Sequence, residues 1–218
     1  MKRIPVFEKL LLAWFFFIAG LIACRIYFSG SLLFIFLVWN IFLAWIPFFI
    51  SSFLQTAGSA TWKQYGLLFA WLLFFPNSLY IITDLIHLDR ETGIPKWFDA
   101  ILIFSASTAG LMMAFISLYR VEKFLYKIVA GKLVNPLIMF ILFLGSFGVY
   151  LGRFLRWNSW DIISKPVQLF MSVGGRILFP LDHLYTWGVT SLLTMLFYLI
   201  YYSAKKLPGY LYRAEQNS

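Results

Sequence analysis

Long apolar runs separated by short polar connections dominate this chain. A bilayer core of about 30 Å needs roughly 20 apolar residues of helix to cross it. Six runs meet that requirement: about Leu10 to Tyr27, Ser31 to Phe53, Tyr65 to Leu88, Trp97 to Tyr119, Leu133 to Leu155 and Leu181 to Tyr202. Charge, Gly/Pro or interfacial aromatics bound each of them. Stretches such as FFFIAGLIAC and LIMFILFLG lack the apolar-polar alternation that a transmembrane β-barrel requires. In lipid the backbone must then satisfy its own hydrogen bonds as helices. The pattern predicts an all-α membrane protein of about six transmembrane helices. No long polar linker or low-complexity tract interrupts it, so residues 1–218 read as a single polytopic membrane domain.

The longest connection, Trp157 to Pro180, has a periodicity of its own. Pro166 is placed to open a short helix in which Val167, Phe170, Met171 and Gly174 share one face. Lys165, Gln168, Ser172 and Arg176 occupy the other, and Gly174 with Gly175 provides a stop. This predicts an interfacial helix, lying in the headgroup plane between helices five and six.

Composition agrees with this picture. Hydrophobic residues make up 61% and charged residues 12% of the chain, and the mean hydropathy is +0.82, which excludes an ordinary soluble domain. With a cytoplasmic N-terminus, the inner face carries Lys2, Arg3, Lys9, Lys63, Arg120, Lys123, Lys127, Lys132, Lys205, Lys206 and Arg213, eleven cations against seven on the other side. The bias favours both termini inside the cytoplasmic membrane. The net charge of +9 is accounted for by this topology signal and by attraction to anionic membrane lipids, and no feature argues for nucleic acid. Cys24 is the one cysteine, which excludes an internal disulfide. The run LIAC, behind Lys2, Arg3 and Lys9, also resembles a lipoprotein cleavage box that would lipidate Cys24. The simpler reading makes the same residues part of the first membrane helix, since five further spans already anchor the chain.

Alternation of six helices assigns every Asp and both His to one face, the extracytoplasmic one in this topology, and leaves Glu8, Glu122 and Glu215 on the other. Asn77, Tyr80, Asp84 and His87, continued by Glu91, follow helical spacing and form a stripe down the outer half of helix three. Such a stripe must face other helices or water rather than lipid. Pro76 is placed to kink the helix just before it. Helix five ends in a matching series of Tyr150, Arg153, Trp157 and Asp161, with Arg156 and Asn158 beside it. Helix six begins Pro180, Asp182, His183 and continues with Thr186, Thr190 and Thr194 on nearly one face. Asn40, near the middle of helix two, carries an amide that needs a partner when buried.

The segments WNIFLAWIPF (39–48), FFPNSLYIITDLIHL (74–88) and GRFLRWNSWDI (152–162) resemble those of domain-of-unknown-function family 1361, bacterial multi-pass membrane proteins. The resemblance implies the multi-helix membrane fold across most of the chain. It brings no activity, substrate or catalytic residues.

Three functional readings compete. In the first, Arg153, Arg156 and Asn158, with Asn40, Asn77 and Tyr80, bind an anionic lipid, an envelope ligand or a partner protein. In the second, the i, i+3 pair Asp84 and His87, with Asp182, His183 or Asp161, holds Zn²⁺ or another divalent ion. The ion would activate water against a lipid or envelope substrate, as in a hydrolase or transferase with catalytic candidates Asp84, His87, Asp161 and His183. No HExxH or HxxxH spacing accompanies that set. In the third, the charges are purely structural and only cap and pair helices. A bis-histidine haem on His87 and His183 is a remote alternative, because both lie near helix ends where little protein would surround it. Transport has little support, since the polar groups crowd one end of the spans.

Overall fold

The computed structural model of the protein describes residues 6–55, 61–89 and 93–216. Lys2, Arg3, Arg90 and Glu91 lie outside the described residues, as does the side chain of Asp89. In chain order the helices are α1 (Val6–Ser29), α2 (Phe36–Gln55), α3 (Trp62–Tyr80), α4 (Lys96–Ile128), α5 (Gly131–Leu155), α6 (Asp161–Ser164), α7 (Pro166–Leu178) and α8 (Leu184–Gln216). Two 3₁₀ segments, Ile81–Asp89 and Pro180–His183, follow α3 and precede α8. Among the described residues, six helices are long and apolar enough to cross a membrane, and each coincides with a predicted span.

The helices outrun the apolar stretches that announced them. α4 continues from the expected end at Tyr119 to Ile128, because no Gly or Pro intervenes before Gly131 and Arg, Glu and Lys are good helix formers. α8 runs past Tyr202 to Gln216, and Pro208 removes one donor without ending it. Nor do Gly174 and Gly175 stop α7. It ends at Leu178, capped by the Phe179 N–H on the Gly175 carbonyl at 3.0 Å. Glycine raises the cost of a helix by about 1 kcal/mol, and here no φ > 0 turn takes advantage of it.

The chain divides into two compact units, Met1–Lys123 and Phe124–Ser218. In the first, α2 packs along α3. Ser78 Oγ donates to the Ala44 carbonyl at 2.9 Å. Arg120 donates to the Phe48 carbonyl at 3.0 Å and lies 4.4 Å over the Phe48 ring. α4 presents a run of small buried residues, Ser105, Ala106, Ser107, Ala109 and Gly110, and these let the end of α3 come close. A Cβ on Gly110 would overlap the Ile81 side chain and stand 3.3 Å from the Ser78 carbonyl. Ile18, Ile22, Phe34, Leu37, Ile81, Leu102 and Ile103 form the apolar core beside this crossing.

One charge pair is enclosed in that unit. Arg25 near the end of α1 is 1% exposed and grips Asp99 in the first turn of α4, Nε to Oδ1 at 2.8 Å and Nη2 to Oδ2 at 3.4 Å. The guanidinium also lies 4.4 Å over the Phe34 ring.

In the second unit, α5 packs along α8. Thr186, Thr190, Thr194, Phe197 and Tyr201 are the buried face of α8, so the threonine stripe read from the sequence is an interhelical one. Val134, Ile138, Leu142, Ser146 and Val149 are buried along α5. Trp187 stacks nearly parallel on Phe147 and Phe143, at centroid distances of 5.5 and 6.1 Å.

Removing one member of a buried ion pair strands the other, at a cost of about 3–5 kcal/mol, whereas replacing both with apolar groups is often close to neutral. Arg25→Met is therefore expected to lower thermal stability in detergent strongly, and Arg25→Met/Asp99→Leu to recover most of the loss. Equal losses in the single and double variants would show that the pair does not hold α1 to α4.

Candidate functional site

The stripe expected down one α-helix changes helix type halfway. α3 ends at Tyr80, and Ile81–Asp89 continues as a 3₁₀ helix of nine residues, far longer than the usual three or four. Hydroxyls take up backbone carbonyls at the junction: Thr83 Oγ1 donates to the Tyr80 carbonyl at 2.6 Å and Ser107 Oγ to the Ile81 carbonyl at 3.0 Å. With three residues per turn, side chains at i and i+3 eclipse, so Ile81, Asp84 and His87 fall in one line. Asn77 and Tyr80 are half-buried in the last turn of α3.

Asp84 is 1% exposed. Its Oδ2 accepts a hydrogen bond from Asn40 Nδ2 of α2 at 2.7 Å, which supplies the partner that the Asn40 amide required. Its Oδ1 stands 4.0 Å from His87 Nε2. That is too long for a hydrogen bond. His87 keeps 21% of its side chain exposed and meets Phe36 edge-on at 5.3 Å. The arrangement is a buried carboxylate beside an accessible imidazole, which can take up, hold or pass a proton.

In the second unit, the polar groups cluster after α5. Arg153 is half-buried in its last turn. Arg156 caps the helix with φ 60° and ψ 30°, the one non-glycine in the left-handed region among the described residues. The Trp157 N–H reaches back to the Leu151 carbonyl at 3.1 Å, closing the helix end. Asp161, 7% exposed, organises the next turn: Oδ2 accepts the Asn158 backbone N–H at 2.7 Å, and Oδ1 accepts the Ser164 hydroxyl at 2.9 Å. The Asn158 N–H, then the Ser164 hydroxyl, the Asn158 amide and the Lys165 charge hold its carboxyl below the usual carboxylate range, outweighing the upward push of burial. Asp182 is exposed and His183 half-buried in the 3₁₀ turn Pro180–His183.

α7 forms where the sequence placed it, with the two faces it expected. Val167, Phe170 and Met171 are 63%, 65% and 72% exposed and free to lie against lipid, while Ser172 and Arg176 of the polar face are half-buried. Trp157 Nε1 donates to Ser172 Oγ at 3.4 Å, and Arg176 Nη1 donates to the Ser172 carbonyl and hydroxyl at 2.6 and 3.0 Å. The i, i+4 spacing of Ser172 and Arg176 was visible in the sequence; their direction was not. Nor did spacing alone reveal the Arg25–Asp99 pair.

Among the described residues, no three His, Cys, Asp or Glu side chains are grouped to hold a metal ion. The structure brings Asn40, Asp84 and His87 together in one unit, and Asn158 with Asp161 in the other.

Six long apolar helices with polar groups gathered at helix ends define a multi-pass membrane protein. Residues 39–200 match the family described as protein of unknown function DUF1361, and the chain belongs to that family. The matched span contains every candidate site residue from Asn40 to His183. No curated protein and no solved structure matches the chain.

Because the folded-state pKa of Asp161 lies below its unfolded value, its stabilisation is present above the ordinary carboxylate pKa and is lost as pH falls through the folded one. Hydrogen exchange at residues 157–165 is expected to quicken, relative to the rest of the chain, as the medium is acidified through that range. Asp161→Asn should show the faster exchange at neutral pH, with the acid dependence gone.

Proposed function

We propose that this protein, set in the bacterial cytoplasmic membrane with both termini in the cytoplasm, binds an anionic lipid headgroup at the extracytoplasmic end of α5. The observation that carries the reading is Arg156. A left-handed backbone costs an L-residue about 1–2 kcal/mol that glycine avoids, and helix ends of this shape commonly use glycine. Here the position holds an exposed arginine whose guanidinium makes no hydrogen bond or ion pair among the described residues. No partner among the described residues accounts for that side chain, which is therefore available to a ligand. Arg153 one turn earlier and Asn158 two residues on add a cation and an amide at the same end.

Arg156→Gly separates binding from folding. The variant is expected to be at least as stable in detergent, by up to about 1 kcal/mol, while losing co-purified anionic lipid. Undiminished lipid retention would remove this reading.

A second reading is favoured by the Asp84–His87 pair: a hydrolase or transferase acting on a lipid or envelope substrate. Asp84 stands 4.0 Å from the imidazole, and His87 keeps part of its side chain exposed to a substrate or water. Asp84 and His87 can also be two donors of a Zn²⁺ site completed by non-protein ligands. On this reading His87→Gln and His183→Gln insert normally but fail to complement a deletion strain, and a metal found with the parent protein disappears from His87→Gln. Full complementation by both variants would leave lipid binding as the remaining function.

A further inference from the structure

We propose that the end of α8, from Leu207 to Gln216, turns at Pro208 and Gly209 and lies on the anionic lipid surface of the leaflet at which α8 leaves the membrane. The helix is too long for the bilayer it crosses. Its 33 residues measure about 50 Å at 1.5 Å per residue, whereas the hydrocarbon core is about 30 Å thick and the whole bilayer about 40–45 Å. Tyr202 and Lys206 mark where it leaves the hydrocarbon. Tyr198 stacks on Tyr202 at 5.9 Å, and Lys206 Nζ lies 5.3 Å from the centre of the Tyr202 ring, a pairing of aromatic and cation that anchors a span at the headgroups. The helix beyond Lys206 is therefore outside the hydrocarbon, yet it is not polar all round.

Leu207, Tyr210, Leu211 and Ala214 follow i, i+3, i+4, i+7 spacing and share one face. All four are exposed, the first three at 54%, 70% and 51%. Projected straight into water that face stays bare; turned onto the bilayer it is covered. Lys205 stands on the opposite face, with Lys206 and Arg213 together on one flank, so the segment carries three cations against the single acid Glu215. An apolar stripe flanked by cations is complementary to anionic headgroups over acyl chains. The hinge is local. Pro208 leaves the Ala204 carbonyl without its i+4 donor, the usual cause of a kink in a helix. Residues 206–216 are all exposed and a Cβ on Gly209 would meet nothing within 4 Å, so no neighbour blocks the turn. α8 is helical on both sides of the hinge, and the segment beyond it moves as one piece.

The test uses the full chain in a Cys24→Ser background, with Ala214→Cys on the apolar face or Tyr212→Cys on the far one, each carrying a spin label. The protein is placed in nanodiscs of phosphatidylcholine, alone or mixed with phosphatidylglycerol, and the labels are exposed to oxygen, which collects in lipid, and to a nickel chelate, which stays in water. In the mixed discs the label at 214 is expected to be shielded from the chelate severalfold relative to the label at 212. That contrast should be lost in Lys206→Glu/Arg213→Glu, and in Pro208→Ala/Gly209→Ala, which straightens the helix. Equal chelate access at 212 and 214 in the mixed discs overturns the proposal, because the segment then projects into water. The same contrast in phosphatidylcholine alone overturns the anionic surface as the partner, and an undiminished contrast in Pro208→Ala/Gly209→Ala overturns the hinge. Shielding of both labels from oxygen and chelate together marks a protein contact and overturns the lipid surface.

Discussion

Asp84 imposes the constraint around which the first unit is arranged. A carboxylate in an apolar span costs roughly 2.5–3.5 kcal/mol at mid-helix unless it is compensated, and at 1% exposure water cannot compensate it. Asn40 answers from α2 with a 2.7 Å hydrogen bond. His87 lies 4.0 Å away in the same 3₁₀ segment. To bring Asn40 to Asp84, α3 must lie close along α2, and after Tyr80 the chain changes helix type. That change is accommodated by small residues on α4, above all Gly110 against Ile81 and Ser107 on the Ile81 carbonyl. The polar site and the tightest helix crossing in the unit are therefore consequences of one packing arrangement.

The second unit treats its charges in another way. Asp161 uses its oxygens on the turn that contains it, and Thr186, Thr190 and Thr194 lie within the α5–α8 contact. These polar groups build structure. Arg156 does not fit that account. It is held in a backbone conformation that favours glycine. Unspent hydrogen-bonding capacity at the end of a membrane helix is what a headgroup-binding surface needs.

The membrane fold was legible from the chain because it follows from local, additive quantities. Each run of about 20 apolar residues must become a spanning helix for its own backbone to be satisfied, and all six did so. Pro166 likewise marked the start of α7. Helix ends were less legible. Hydropathy reports where lipid begins, whereas Arg120 to Lys127 carries no strong helix stop and α8 runs through Pro208 and Gly209 despite theirs.

Tertiary structure decided which polar residues meet. Asn77, Tyr80, Asp84 and His87 are spaced for one continuous α-helix, whereas the crossing at Gly110 coincides with a 3₁₀ continuation in which Asp84 and His87 take eclipsed i, i+3 positions. Arg25 and Asp99 are 74 residues apart in sequence, and no periodicity within either helix encodes their pairing. The same holds for α7, where the spacing of Ser172 and Arg176 defines a polar face, and only the folded unit shows that Trp157, just past α5, donates to Ser172 there.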